Sequence, residues 1–399
     1  MTTMAIDNKD KKILNVPHLR FPEFSGEWKE ELLDRIATLS KGIGIPKEQL
    51  SEDGDPCILY GELYTKYKSE IIKQVESKTD IDGSKLKRSK ANDVIIPCSG
   101  ETAVDIATAR CVPFDSILLG GDLNVISLHK YDGAFMSYQL NGKRKYDIAR
   151  VAQGVSVVHL YGEHLKTIKT YNPTLPEQQK IAILLSLLDE RIATQNKIIE
   201  DLKKLKCAII EKLYSKIQGK EYSYGQLFDV VNERNKQMEY YNILSASQEK
   251  GMVNRDDLNL DIQFERSNIN TYKIVRKGDY VIHLRSFQGG FAFSDKLGVC
   301  SPAYTILRPN SLLEYSYLSY YFTSQRFIKS LIIVTYGIRD GRSINVEEWL
   351  NMKVVIPSKE HQLHTLNVLK RIDDKVENEE KYATCLSNQK QYLLRQMFI

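Results

Sequence analysis

The sequence holds six cysteines, Cys57, Cys98, Cys111, Cys207, Cys300 and Cys385, and no two of them form a C-x-x-C pair. That scatter argues against a zinc site and against a disulfide framework, and it reads as reduced thiols of a cytoplasmic protein. No run of about 18 apolar residues occurs, so no segment is suited to cross a bilayer as a helix. The opening "MTTMAIDNKDKKILNVPHL" is too polar for the apolar stretch of a signal peptide. Motifs of catalysis are also missing. There is no G-x-x-x-x-G-K-[ST], which leaves a P-loop ATPase unsupported. The nearest approach to the N-P-P-[YF] pattern of amino-methyltransferases is Asn172-Pro173-Thr174-Leu175, which lacks the aromatic residue. His361 and His364 are three residues apart but have no carboxylate companion of zincin type, so a solvated helix face is the simpler reading. No metal site and no Ser-His-Asp grouping emerges. These absences favour a protein that binds over one that catalyses. Charge of one sign does not dominate either: 56 basic against 51 acidic residues leaves a net charge of +5, so local clusters matter more than the total.

What the sequence does contain is an internal repeat. An apolar fraction of 42% and a charged fraction of 27% are ordinary for a globular protein, and 399 residues suffice for two domains or more. The stretch "NPTLPEQQKIAILLSLLDERIATQNKIIEDLKKLKCAIIEKLYS" (172–215) returns in diverged form as "IPSKEHQLHTLNVLKRIDDKVENEEKYATCLSNQKQYLLRQMFI" (356–399). A constant offset of 184 residues pairs Pro173 with Pro357, Gln178 with Gln362, Asp189 with Asp373 and Lys206 with Lys390. Upstream, "LLD" at 32–34 resembles "LFD" at 227–229, "DVII" at 93–96 resembles "DYVI" at 279–282, and "FMSY" at 135–138 resembles "YLSY" at 317–320. Their common order marks a tandem duplication of a domain followed by a long helix.

Thr174-Leu-Pro-Glu177 is a capping-box pattern with proline in the first turn, and no proline or glycine interrupts the chain from there to Ser215. At 1.5 Å per residue the helix is a rod of roughly 60 Å. Spacings of three and four select a heptad seam in each copy. In the first it consists of Leu185, Leu188, Ile192, Gln195, Ile199, Leu202, Lys206, Ile209 and Leu213. In the second it consists of Leu369, Ile372, Val376, Glu379, Ala383, Leu386, Lys390, Leu393 and Met397. Parallel pairing would set Lys206 against Lys390 inside the seam. Antiparallel pairing with Ile199 beside Leu386 sets Lys206 opposite Glu379 and Gln195 opposite Lys390, and keeps apolar positions together (Leu188 with Met397, Ile192 with Leu393, Leu213 with Ile372). The expected fold is therefore α+β: two tandem-duplicated α/β domains joined by two long helices that form an intramolecular antiparallel coiled coil. The boundaries read as 1–170 for the first domain, 171–218 for the central helix, 219–356 for the second domain and 357–399 for the C-terminal helix. Two separate amphipathic helices, each packed on its own domain, is the competing arrangement.

Within the domains, short β-type runs such as "DVIIP" (93–97), "NVISL" (124–128), "DYVIHL" (279–284) and "YTIL" (304–307) alternate with Gly, Asn and Asp, and one helix per domain is expected, near 135–140 and 317–331. A pseudo-dimeric basic chain, its domains near opposite ends of the rod, suits a divided DNA site, since dimeric readers engage half-sites about 34–36 Å apart. Two non-identical domains would read an asymmetric site. Candidate DNA contacts are Lys85, Lys87 and Arg88 in "GSKLKRSKAND", Lys143, Arg144 and Lys145 in "NGKRKYD", Arg285 and Gln288 in "HLRSFQGG", and Arg339 and Arg342 in "YGIRDGRS". Arginine forks match the N7/O6 edge of guanine, and glycine lets backbone approach phosphate. Tyr317, Tyr320 and Tyr321, at helical spacing, read as core.

The opening "VPHLRFPEFSGEW" (16–28), the helix start "NPTLPEQQKIA" (172–182) and the duplicated plan closely resemble the specificity subunit of Type I restriction–modification systems. The resemblance covers nearly the whole chain. It implies two target-recognition domains, each reading half of a bipartite double-stranded DNA site, with the helices as spacer. It also implies two methylation subunits docked on the chain, with restriction/translocase subunits joining them. S-adenosylmethionine, ATP and Mg are then expected on those partners, and no cofactor here. The second helix departs from the pattern, since "PSKEHQLHTL" keeps Pro357 and Gln362 but loses the Glu-Gln pair and the Ile-Ala pair. Competing readings are a coiled-coil scaffold without DNA function and a diverged DNA methyltransferase or nuclease. Salt-dependent DNA binding separates the first from a specificity subunit, and S-adenosylmethionine binding by the isolated chain would favour the second.

Overall fold

The structure is a computed structural model that describes residues 14–247, 250–258, 266–283, 290–336 and 343–399. The chain divides into two compact units, one formed by residues 1–196 with 381–399, the other by 197–380.

In the first unit the strands Ala37–Lys41, Leu123–Leu128, Asp93–Pro97 and Arg110–Val112 form an antiparallel sheet in that order. The run Val94-Ile95-Ile96 is buried throughout because both faces of the sheet are covered. Side chains alternate across a strand, so Val94 and Ile96 join one core with Ile126 and Met136, while Ile95 joins another with Val112, Leu123 and Val125. A second sheet orders Leu50–Ser51, Lys78–Thr79, Asp55–Ile58, Leu118–Leu119 and Lys87–Arg88. The helix Gly133–Asn141 starts where the Asp132 carboxylate accepts the Phe135 N–H. Its Met136 and Leu140 meet the sheet, and its Phe135 and Tyr138 meet Trp28, Ile181, Leu185, Met397 and Phe398.

The second unit repeats the sheet order with Phe228–Val231, Thr305–Pro309, Tyr280–Ile282 and Phe291–Phe293. Its core is more aromatic. Tyr224 stacks on Trp349 with centroids 4.2 Å apart, and Phe228, Phe291, Phe322 and Phe327 surround them. Tyr317 is buried there, with Tyr320 and Tyr321 half-buried against it. The single helix expected over 317–331 is two, Tyr317–Tyr321 and Gln325–Ser330, because the Ser324 hydroxyl caps the second by accepting the Phe327 N–H. The first unit likewise adds Lys145–Val151 and Gly162–Lys166 to the one helix expected.

Each unit closes on itself at its base. Lys29–Leu32 pairs antiparallel with Lys169–Asn172, and Lys220–Ser223 pairs antiparallel with Lys353–Ile356. The exit strand then leads directly into a long helix, Leu175–Ser215 or Lys359–Gln396. The first unit holds the start of the central helix with the end of the C-terminal helix, and the second unit holds the converse halves, so the two helices run antiparallel. Every residue of both expected seams is buried or half-buried. Among the described residues no helix is long and apolar enough to cross a membrane.

Candidate nucleic-acid interface and its support

The same polar bracket recurs where each domain meets the helices. In the first unit the Tyr138 hydroxyl donates to Asp189 Oδ2 at 2.7 Å, Lys390 Nζ lies 2.6 Å from Asp189 Oδ1, and that ammonium sits 5.6 Å from the Tyr138 ring centroid. In the second unit the Tyr320 hydroxyl donates to Asp373 Oδ2 at 2.7 Å, Lys206 pairs with Asp373, and its ammonium lies 5.3 Å from the Tyr320 ring centroid. All three members correspond through the repeat. A glutamine repeated in the two long helices joins them: Gln178 Oε1 accepts the Asp132 N–H and Gln362 Oε1 accepts the Glu314 N–H. Sequence reasoning placed the interior lysines opposite Glu379 and Gln195. The ion pairs go instead to Asp373 and Asp189, just off the seam, where a domain tyrosine orients each carboxylate, and Glu379 is bonded by Lys375 of its own helix.

The first unit carries two additions. Glu70 also contacts Lys390 at 2.6 Å, so one ammonium serves two buried carboxylates. Burial pushes the Glu70 carboxyl above the usual carboxylate range; Lys390 opposes that shift and Asp189 reinforces it. Arg110 is buried nearby, donating to the carbonyls of Tyr67 and Ala109, and burial lowers its pKa against the pull of Glu70 and Asp189. The second addition is a clasp. Arg20 grips both carboxylate oxygens of the fully buried Glu177, at 2.7 and 2.8 Å, and the Trp28 indole N–H donates to the same side chain at 3.3 Å. It fixes the segment 20–28 to the start of the central helix. Neither addition was found from sequence. Arg20 and Glu177 both lay within motifs already recognised, but nothing in a single sequence ties residues 157 positions apart.

The candidate DNA contacts fall into three groups. Lys85 and Arg88 are exposed and Lys87 is half-buried, with Lys87–Arg88 forming the edge strand of the second sheet, where Arg88 pairs with Asp55 at 2.6 Å. Lys143, Arg144 and Lys145 are half-buried at the start of Lys145–Val151. Arg144 faces inward: it donates to the main-chain oxygen of Ile399 at 3.0 Å, pairs with Asp147 at 3.3 Å and lies 5.3 Å from the Tyr171 ring centroid. Arg144→Ala is expected to cost about 1–2 kcal/mol of stability by removing charge-assisted bonds, while the DNA sequence preference stays as in the parent. Chemical denaturation and mapping of methylated sites check the two halves separately. Arg285, Gln288, Arg339 and Arg342 lie outside the described residues.

A further polar edge, missed by the basic-loop criterion, lies at the end of the first sheet. Lys41, Asn124 and Ile96 share one rung. Beyond it Ser99 pairs with His159 across the strands Ser99–Gly100 and Val158–His159, and Lys41 Nζ lies 5.6 Å from the Tyr161 ring, which stacks on His159 with centroids 6.1 Å apart.

The molecule is thus a duplicated α+β domain joined to two long antiparallel helices, with basic side chains at its edges. Residues 26–204 match the family described as the Type I restriction modification DNA specificity domain. The chain is similar to the MjaVIII Type I restriction enzyme specificity subunit of Methanocaldococcus jannaschii, with 25% identity over 324 residues, 73% of this chain and 74% of that one. Among solved structures it is similar to the Type I restriction–modification S subunit of M. genitalium, with a TM-score of 0.57 and 17% identity over 96% of this chain and 99% of that one. It is also similar to a chain from a study of complex assembly and conformational transition of the Type I system, with a TM-score of 0.59 and 14% identity over 93% and 97% of the two chains. At these identities the structural likeness establishes the fold.

Proposed function

We propose that the chain reads a bipartite, asymmetric double-stranded DNA site, one half with each domain, and that its two helices set the gap. The domains would span 1–170 and 219–356, with 171–218 and 357–399 as spacers. The observation that carries this reading is the repeated Tyr–Asp–Lys bracket, Tyr138–Asp189–Lys390 and Tyr320–Asp373–Lys206, which fastens two related but non-identical domains to the helices in the same way. Two methylation subunits carrying S-adenosylmethionine dock on the chain, and restriction/translocase subunits using ATP and Mg complete a cytoplasmic complex. Lys85, Lys87, Lys143 and Lys145 supply phosphate contacts, while Arg285, Gln288, Arg339 and Arg342 read bases in the second half-site. Methylome sequencing of a host with and without this chain, with an active methylation subunit in both, tests the reading. The expected result is a split methylated motif that disappears with the chain. Persistence of every motif without it, or an unsplit motif, would overturn the proposal.

A further inference from the structure

We infer that the hairpin Gln153–His159 is the base-reading tip of the first domain, and that Val155 and Val157 read thymine through its 5-methyl group. The inference rests on the DNA-recognition reading above and assigns its chemistry in one half-site.

Position comes first. The strand Asp93–Pro97 begins beside Asn92, which donates to the Tyr131 carbonyl at 2.8 Å next to the Asp132–Gln178 bond at the helix start. Followed to Ser99, it runs roughly 20 Å away from that anchor. Ser99 pairs with His159, and His159 exchanges two main-chain hydrogen bonds with Gln153, at 2.7 and 2.9 Å. The hairpin therefore projects from the end of the sheet opposite to the end fastened to the helix. Gly154 has φ +123°, and an added Cβ would meet the Val157 carbonyl oxygen at 2.1 Å, so the turn is built for glycine.

Exposure comes next. Val155 is 98% exposed and Val157 is 52% exposed, in a domain whose other valines mostly lie in its cores. Ser156 and Val157 form one wall of an open cleft of about 750 Å³ with Ser99, Gly100, Tyr60 and Tyr64, so the tip stands clear of the body on that side. Around it lie Lys41, His159 and Tyr161, a charged and hydrogen-bonding setting suited to a nucleic acid.

The second domain supplies the comparison. Its strands Thr335–Tyr336 and Ser343–Ile344 pair antiparallel at the corresponding place in the repeat, and the sequence they bracket is "GIRDGR". Where one copy has arginines the other has "GVSVV". Arginine forks suit guanine in the major groove, whereas an apolar side chain suits the methyl group that distinguishes thymine there. The two copies thus differ in sequence chemistry between corresponding strands, and residues 337–342 themselves lie outside the described residues.

The experiment uses the full chain assembled with its methylation subunits and an oligonucleotide bearing the methylated motif. Each thymine in both half-sites is replaced singly by deoxyuridine, which removes only the methyl group, and affinity is measured. The expected loss is about three- to tenfold at one or two thymines, all within one half-site. In the Val155→Ser, Val157→Ser double variant those thymine and uracil sites bind equally. Both substitutions lie on a solvated tip, and unchanged sensitivity in the other half-site controls for folding. No methyl effect at any thymine, an effect that persists in the variant, or a motif without thymine would overturn the inference. So would loss of subunit assembly in the variant, which would mark the tip as a protein contact. If the complex selects no motif at all, the recognition reading itself fails, which is a distinct result.

Discussion

Lys390→Met is expected to destabilise the first unit by about 3–5 kcal/mol at neutral pH, the range for removing one partner of a buried ion pair. The ammonium lies 2.6 Å from both Glu70 and Asp189, and all three side chains are at most 15% exposed, so solvent screens the lost attraction little. The effect has a defined pH dependence. Because the folded state raises the Glu70 pKa, it holds that proton to higher pH than the unfolded chain does. The associated stability is fully present below the ordinary carboxylate range and falls as pH rises through the raised value. Without Lys390 nothing draws Glu70 toward its ionised form except Arg110, so the decline with pH should steepen. Glu70→Gln in the Lys390→Met background should flatten it and restore part of the loss. Urea denaturation at several pH values between 5 and 8 measures both. A variant as stable as the parent at pH 7.5 would show that the cluster is held by packing and not by charge.

Glu177→Ala is expected to cost about 3 kcal/mol, and to loosen the segment 20–28 specifically. Arg20 is only 14% exposed and would lose both bonds to the carboxylate, retaining those to the carbonyls of Gly26 and Ser25, while the Trp28 indole N–H would lose its acceptor in a buried site. The corresponding residue of the second helix is His361, which is exposed, so His361→Ala should change stability by no more than about 0.5 kcal/mol. The two helix starts are thus unequal despite their common ancestry. Limited proteolysis provides the measurement: the 20–28 segment should be cleaved much faster in Glu177→Ala than in the parent. Equal protection in the two proteins would assign its anchoring to Trp28, Phe135 and Phe398 instead.

The features legible in the sequence were those with a period or a repeat. The seam could be drawn residue by residue because a helix buries every third or fourth position, and the antiparallel direction followed from refusing to set Lys206 against Lys390. The partners of those lysines were not legible. Asp189 and Asp373 lie off the seam, and their choice depends on Tyr138 and Tyr320, which reach in from the domains. The break before Ser324 depends on one capping hydroxyl, which has no period to mark it. Charge density in sequence says nothing about direction: Arg144 turns inward to Ile399, a residue 255 positions away. Glu70 sits in "YKSEIIKQ", where no spacing distinguishes a buried acid from a solvated one.

The paired strands at the base of each domain have a consequence for the gene. Chain entering through Lys29–Leu32 leaves through Lys169–Asn172 alongside it, and chain entering through Lys220–Ser223 leaves through Lys353–Ile356 in the same manner. The coding segments between these strands are therefore interchangeable parcels whose ends already meet. Two crossovers, one in each strand of a pair, would exchange a complete domain while leaving both helical segments, and hence their register, in their original codons.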